Sequence, residues 1–308
     1  MIGEWLIYAV ASIICWGLVG VLDSYFIEDG IYSNMWDAMI VSSIFKIIGV
    51  VLVGGIFFTQ VLEISFVGAI LSMIGGALIS AAYMSCFAAL LYHNDSPLVQ
   101  IVWNTTSPVV VILGYFFLGE EFSSKAYIGM GIVFLGAFAV SFSKDAFNCK
   151  LTKFILLLIP MIAMYSCSEV LMKYVEQGNV DFQQSFPFVC LGQVSFGLVL
   201  LAIRRNPKQI GEIIKNNQLL FFVSEAVELL GLFLMQLGIT KAPSIALFGV
   251  VEAFMPVAVI MLTCISIFFL KIFKRGDVLE KVYEENMLSG LSIKIIATAI
   301  MMIGVYLI

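Results

Sequence analysis

Ten stretches of about 20 apolar residues, separated by charged or turn-forming residues, follow one another along the 308-residue chain. A bilayer core is crossed by roughly 20 residues of helix, so this pattern commits the chain to a membrane before any motif is considered. The stretches run at 5–27, 34–58, 66–91, 97–118, 124–143, 153–174, 183–203, 217–238, 243–270 and 288–308. Ile155 to Ile162 and Val257 to Leu262 are apolar on every face, whereas strands of a membrane barrel alternate apolar and polar positions. Helices are therefore expected. A soluble globule is excluded by composition, because 61% of the residues are hydrophobic, 12% are charged and the mean hydropathy is +1.06. Met1 to Glu4 carries no basic residue and no small-residue cleavage site follows, so the first stretch reads as a retained span. The expected fold class is an all-α integral membrane protein of ten transmembrane helices, multi-pass in the inner (plasma) membrane of the cell.

Charge in the connections sets an expected orientation. Three longer loops hold Lys144, Lys150 and Lys153, then Arg204, Arg205, Lys208 and Lys215, then Lys271, Lys274, Arg275 and Lys281. With ten spans these loops share one face, giving 3 + 4 + 4 = 11 basic residues there against three (Lys125, Lys173, Lys241) at or near the other. The positive-inside rule places the loops in the cytoplasm and both termini outside.

The two halves also echo each other. Ser96-Pro97 opens the fourth span and Pro108-Val109-Val110-Val111 follows, while Ala242-Pro243 opens the ninth and Pro256-Val257-Ala258-Val259 follows. Cys15-Trp16-Gly17 leading to Ser24-Tyr25 is matched by Met164-Tyr165-Ser166 leading to Lys173-Tyr174. The expectation is one five-helix unit used twice, over 1–145 and 146–308. Five is odd, so the second unit enters from the opposite side, the inverted-repeat arrangement that permits alternating access.

Trp16-Gly17, Ala88-Ala89 ahead of Ser96-Pro97, Pro108, and Leu118-Gly119-Glu120 followed by Gly129 and Gly136 together resemble the drug/metabolite transporter superfamily, EamA type. The resemblance implies ten helices in two inverted repeats around a central cavity, carrying a small metabolite by alternating access. It also implies cytoplasmic termini, the reverse of the charge count. The second half departs from the pattern, with Glu284-Glu285 after a charged insertion where a Gly-Glu is expected.

Polar residues within the spans carry the functional expectation. Glu225 and Glu228 lie one turn apart and share a helical stripe with Leu232 and Gln236. A carboxylate near the bilayer centre costs roughly 2.5 to 3.5 kcal/mol on insertion scales, so such residues usually face a wet pathway. With Lys153, the first residue of its span, counted in the loop, Asp23, Asp37, Glu169, Glu225, Glu228 and Glu252 against Lys46, Lys125, Lys173 and Lys294 give 4 − 6 = −2 within the spans, a balance that attracts a cation. Glu169 and Lys173 have the spacing and order of a helical ion pair, and Lys46 is available to neutralise another carboxylate. Carboxyls as close as Glu225 and Glu228 resist ionising together, and a pair sharing a proton can exchange it for a cation. Trp16, Tyr83, Trp103 and Tyr165 offer aromatic faces for an ammonium group, and Asn104 adds hydrogen-bonding groups. The candidate substrate-binding residues are therefore Trp16, Tyr83, Trp103, Asn104, Tyr165, Glu169, Glu225, Glu228 and Glu252.

Other signals fail on their context. Asn104-Thr105-Thr106 matches a glycosylation sequon inside a span, and Gly129-Met130-Gly131 misses the dinucleotide spacing and follows no strand. The six cysteines include no C-x-x-C pair and His93 is the only histidine, so no metal, cofactor or disulfide framework is expected. No basic run points to nucleic acid. The expected function is secondary transport of a small polar metabolite, favouring an organic cation or amine, and allowing proton coupling and a homodimer. An amino-acid or related metabolite exporter is the alternative. From another class, an intramembrane enzyme or lipid-handling protein should place paired acids near an interface, whereas these lie at mid-depth.

Overall fold

The computed structural model describes residues 3–92, 99, 103, 105–140, 151–205, 207–272, 296, 299–304 and 307. The described residues are helices and short connections: α1 (Glu4–Glu28), α2 (Met35–Phe45), α3 (Ile47–Ile56), α4 (Phe58–Leu62), α5 (Phe66–Tyr92), α6 (Thr106–Leu113), α7 (Ser124–Val140), α8 (Leu151–Gln177), α9 (Phe182–Arg204), α10 (Pro207–Asn216), α11 (Gln218–Lys241), α12 (Ile245–Glu252) and α13 (Met255–Ile272). A helix satisfies its own backbone, which a bilayer demands because lipid offers no hydrogen-bond partner. Among the described residues seven helical segments are long and apolar enough to cross a membrane: Glu4–Ile27, Met35–Ile56, Phe66–Tyr92, Leu156–Gln177, Phe182–Arg204, Gln218–Lys241 and Ile245–Leu262. Two shorter apolar helices, Thr106–Leu118 and Ser124–Gly136, occupy the fourth and fifth expected spans. Most of the tenth lies outside the described residues; those described there are helical. Ile7, Val51, Phe116, Leu135, Ile203 and Leu219 are exposed large apolar side chains, as a lipid-facing surface requires.

Among the described residues two expected spans are interrupted and a third changes pitch at its end, each for a local reason. The second breaks at Lys46, between α2 and α3: its N–H turns to the Ser43 carbonyl (3.3 Å), while the Ser42 carbonyl meets the Lys46 Nζ (3.5 Å). The ninth breaks after Glu252, where Ala253 and Phe254 form a turn ahead of Pro256. Proline has no N–H, so the Glu252 carbonyl loses its usual helical donor there. In the fourth, α6 ends in a π-helical turn (Gly114–Leu118) closed by Gly119 at φ +68°. That φ suits glycine, and it turns the chain so that the Glu120 carboxylate accepts the N–H groups of Ile245 (2.8 Å) and Ala246 (3.4 Å). The Gly119-Glu120 motif thus caps α12, placing negative charge at the positive end of a helix from the other half of the chain.

Helix α1 lies along α11 and α13, α5 is held between α8 and α9, and α6 packs on α8 and α12. The α5–α9 crossing is the tightest: any side chain at Gly76 strikes the Val189 carbonyl, and any at Gly192 strikes the Met73 carbonyl. Small residues allow this approach, which replaces the hydrophobic drive that is missing between helices in lipid. At one end Asp37 accepts from Gln209 (3.0 Å) and lies 3.7 Å from Arg204; at the other, Glu4 pairs with Lys241 at 2.7 Å.

Candidate functional site

Four rings form a continuous arc inside the bundle. Trp16 from α1 lies 5.6 Å from Tyr83 of α5, Tyr83 lies 5.1 Å from Trp103, and Trp103 meets Tyr165 of α8 edge-on at 4.7 Å. All four line one cavity with Asp23, Gly20, Cys86 and Met255. Its volume is about 20 Å³, room for one water and for no organic substrate. Access therefore requires helices to separate. The expectation that Trp16 and Tyr165 face a common cavity agrees with this geometry, and Tyr83 and Trp103 connect them. Asn104 lies outside the described residues.

Two carboxyl pairs flank the arc, with different partners. Glu252, the last residue of α12 before its break, accepts from the Tyr165 hydroxyl at 3.5 Å, a contact that the hydroxyl shares with Met235 Sδ at 3.1 Å. Glu169, on the same helix as Tyr165, is buried and feels the Glu252 carboxyl electrostatically. Neither Glu169 oxygen has a hydrogen-bond partner among the described residues. The expected Glu169–Lys173 pair is not formed. Lys173 instead donates to the carbonyls of Ile239 (3.1 Å) and Ala242 (3.0 Å) and to Glu176 (3.3 Å), because the C-terminal end of α11 presents unsatisfied carbonyls within its reach.

The other pair takes up Lys46, which the sequence left available to neutralise a carboxylate. Lys46, 1% exposed, lies 2.8 Å from Glu225 and 2.9 Å from Glu228, and Ser42 donates to Glu228 at 3.0 Å. The stripe of Glu225, Glu228, Leu232 and Gln236 is buried, where the sequence suggested a wet pathway. Lys46, Glu225 and Glu228 are nevertheless absent from the cavity lining. Two ionised carboxylates buried side by side are stabilised by such a partner, and the break of the second span delivers it.

Asp23 joins the two regions and is the residue that sequence reasoning undervalued. It was counted among the span acids but not chosen as a site residue, since it lies toward the end of its span. In the fold it lines the aromatic cavity and interacts electrostatically with Glu228, Glu225 and Lys46. Its helical spacing from Trp16, seven residues and so two turns along one face, was the available signal. Beyond it the turn residue Tyr32 packs with Phe26, Phe87 and Phe221 at 5.4 to 5.7 Å. Burial, and then Glu225, Asp23 and Glu228, push the Tyr32 phenol well above its ordinary range.

Residues 3–142 match the model of the EamA-like transporter family. The first half of the chain is EamA-like. With the spans described above, the match marks a multi-pass membrane transporter of the drug/metabolite type. A solved crystal structure has the same fold, with a TM-score of 0.62 over 100% of this chain and 98% of that one, at 13% sequence identity. The curated proteins gave no match.

Proposed function

We propose that the chain carries a small organic cation or amine across the plasma membrane by alternating access, in exchange for protons. The carrying observation is the aromatic arc with Asp23 in its wall and the Glu169/Glu252 pair beside Tyr165, neither acid having a basic partner among the described residues. Ring faces attract ammonium groups, and unpartnered carboxyls supply both counter-charge and proton sites. Two inverted repeats, 1–145 and 146–308, would provide the motion. Reciprocal packing supports them: first-unit α1 lies on second-unit α11, as second-unit α8 lies on first-unit α5. The family match ends at 142, close to the expected boundary. The breaks beside Lys46 and Glu252 are of the kind found where transporter helices line a midplane site.

One observation favours an amino acid as the second reading. The buried Trp16 Nε1 has no acceptor among the described residues, and it offers a donor to a substrate carboxylate or hydroxyl. Uptake into liposomes of labelled choline, a polyamine, neutral amino acids and benzoate, with and without a pH gradient, separates these readings. Gradient-driven choline or polyamine uptake is expected; uptake of benzoate alone would overturn the cation reading and leave the transporter intact. Orientation is tested with single cysteines. One near Met1 should react with an impermeant thiol reagent from outside intact cells and one at Lys208 should not; the reverse pattern refutes the charge-based topology.

A further inference from the structure

Lys46 is placed unlike any other described basic residue. It is the residue at which the second span breaks, it is buried, and its ammonium has four oxygen neighbours: Glu225 Oε2 at 2.8 Å, Glu228 Oε2 at 2.9 Å, Ser42 Oγ at 3.2 Å and the Ser42 carbonyl at 3.5 Å. The titratable groups facing it come from several elements: Glu225 and Glu228 from α11, Asp23 from α1, and Cys190 from α9. This is the coordination of an amine substrate, supplied by the chain itself. Asp23 connects it to the aromatic cavity, since it interacts with this cluster and also lines the cavity wall.

We infer that Lys46 is a tethered stand-in for the transported cation, released from Glu228 when a substrate ammonium engages Asp23 and Glu228 from the cavity. The inference rests on the cation reading proposed above. Two ionised carboxylates buried together are costly without counter-charge while the empty carrier changes face, and a lysine held between them beside the cavity supplies that charge in the absence of cargo. Substrate and Lys46 then compete for the same oxygens. Because Lys46 also forms the break between α2 and α3, its displacement releases that break from α11, coupling occupancy to motion. Competition has a signature that a structural lysine lacks: removing it strengthens substrate binding while slowing the return of the empty carrier.

The test uses the purified full chain with choline and a polyamine as probes. Lys46→Met should bind the better probe at least about tenfold more tightly, while its maximal rate of net uptake falls by a similar factor and substrate-for-substrate exchange falls less. Lys46→Arg should restore net uptake in part. If Lys46→Met does not fold, Lys46→Met with Glu225→Gln restores the cluster's formal charge (1 − 2 = −1 in the native set, −1 in the double variant) and should bind more tightly than Glu225→Gln alone. Unchanged or weaker binding in a folded Lys46→Met, or in that double variant, overturns the inference while leaving the cation reading in place. Failure of the native chain to bind either probe removes the cation reading and this inference with it.

Discussion

Glu225/Glu228 and Glu169/Glu252 are both buried carboxyl pairs within the spans, yet one encloses a lysine and the other, among the described residues, has a tyrosine hydroxyl at 3.5 Å and no basic partner. Breaking a compensated buried pair leaves an uncompensated charge, so the first pair is tied to stability. The second has little local compensation to lose. It is therefore the pair whose ionisation is free to respond to something that arrives from outside the chain. Two sites indistinguishable in residue type thus differ in compensation, one enclosing a lysine and the other without a basic partner among the described residues.

The largest effect should come from stripping Lys46 of both partners. Glu225→Gln with Glu228→Gln strands a buried ammonium and should cost about 3 to 5 kcal/mol of stability, read by thermal denaturation in detergent. Equal melting of variant and native protein would erase the distinction between the pairs. Next, Glu169→Gln and Glu252→Gln should each lower net uptake at least about tenfold while changing stability by no more than about 1 kcal/mol. A large loss of stability with either substitution would show that this pair is structural after all. Trp16→Ala should give the smallest effect, weakening choline binding by about 0.5 to 2 kcal/mol. Binding indifferent to Trp16 would remove the aromatic arc from the cation site and sharpen attention on the carboxyls alone.

Helical spans were legible because their signal is local: about 20 apolar residues in a row need no partner to be recognised. The nine expected spans that lie largely within the described residues coincide with helices there. Interruptions were less legible. Pro256 gave warning of the break after Glu252, but nothing around Lys46 breaks a helix by propensity; that turn accompanies a side chain drawn to carboxylates 179 and 182 residues away (225 − 46 and 228 − 46). Glu169–Lys173 failed for the complementary reason. Spacing allowed the pair, and the carbonyls of Ile239 and Ala242 offered Lys173 better-placed acceptors.

Composition and the order of apolar runs determined by themselves that this chain lies in a membrane as helices, because in hydrocarbon each segment must satisfy its backbone within itself. They also determined which ionisable residues lie at depth. Which of those acids received a lysine, which were set beside a tyrosine hydroxyl, and that Asp23 lines the cavity were decided by the tertiary structure. A side chain's partner depends on helix rotation and crossing, here set by close approaches such as Gly76 on Val189 and Gly192 on Met73, and no local stretch of sequence encodes that distance.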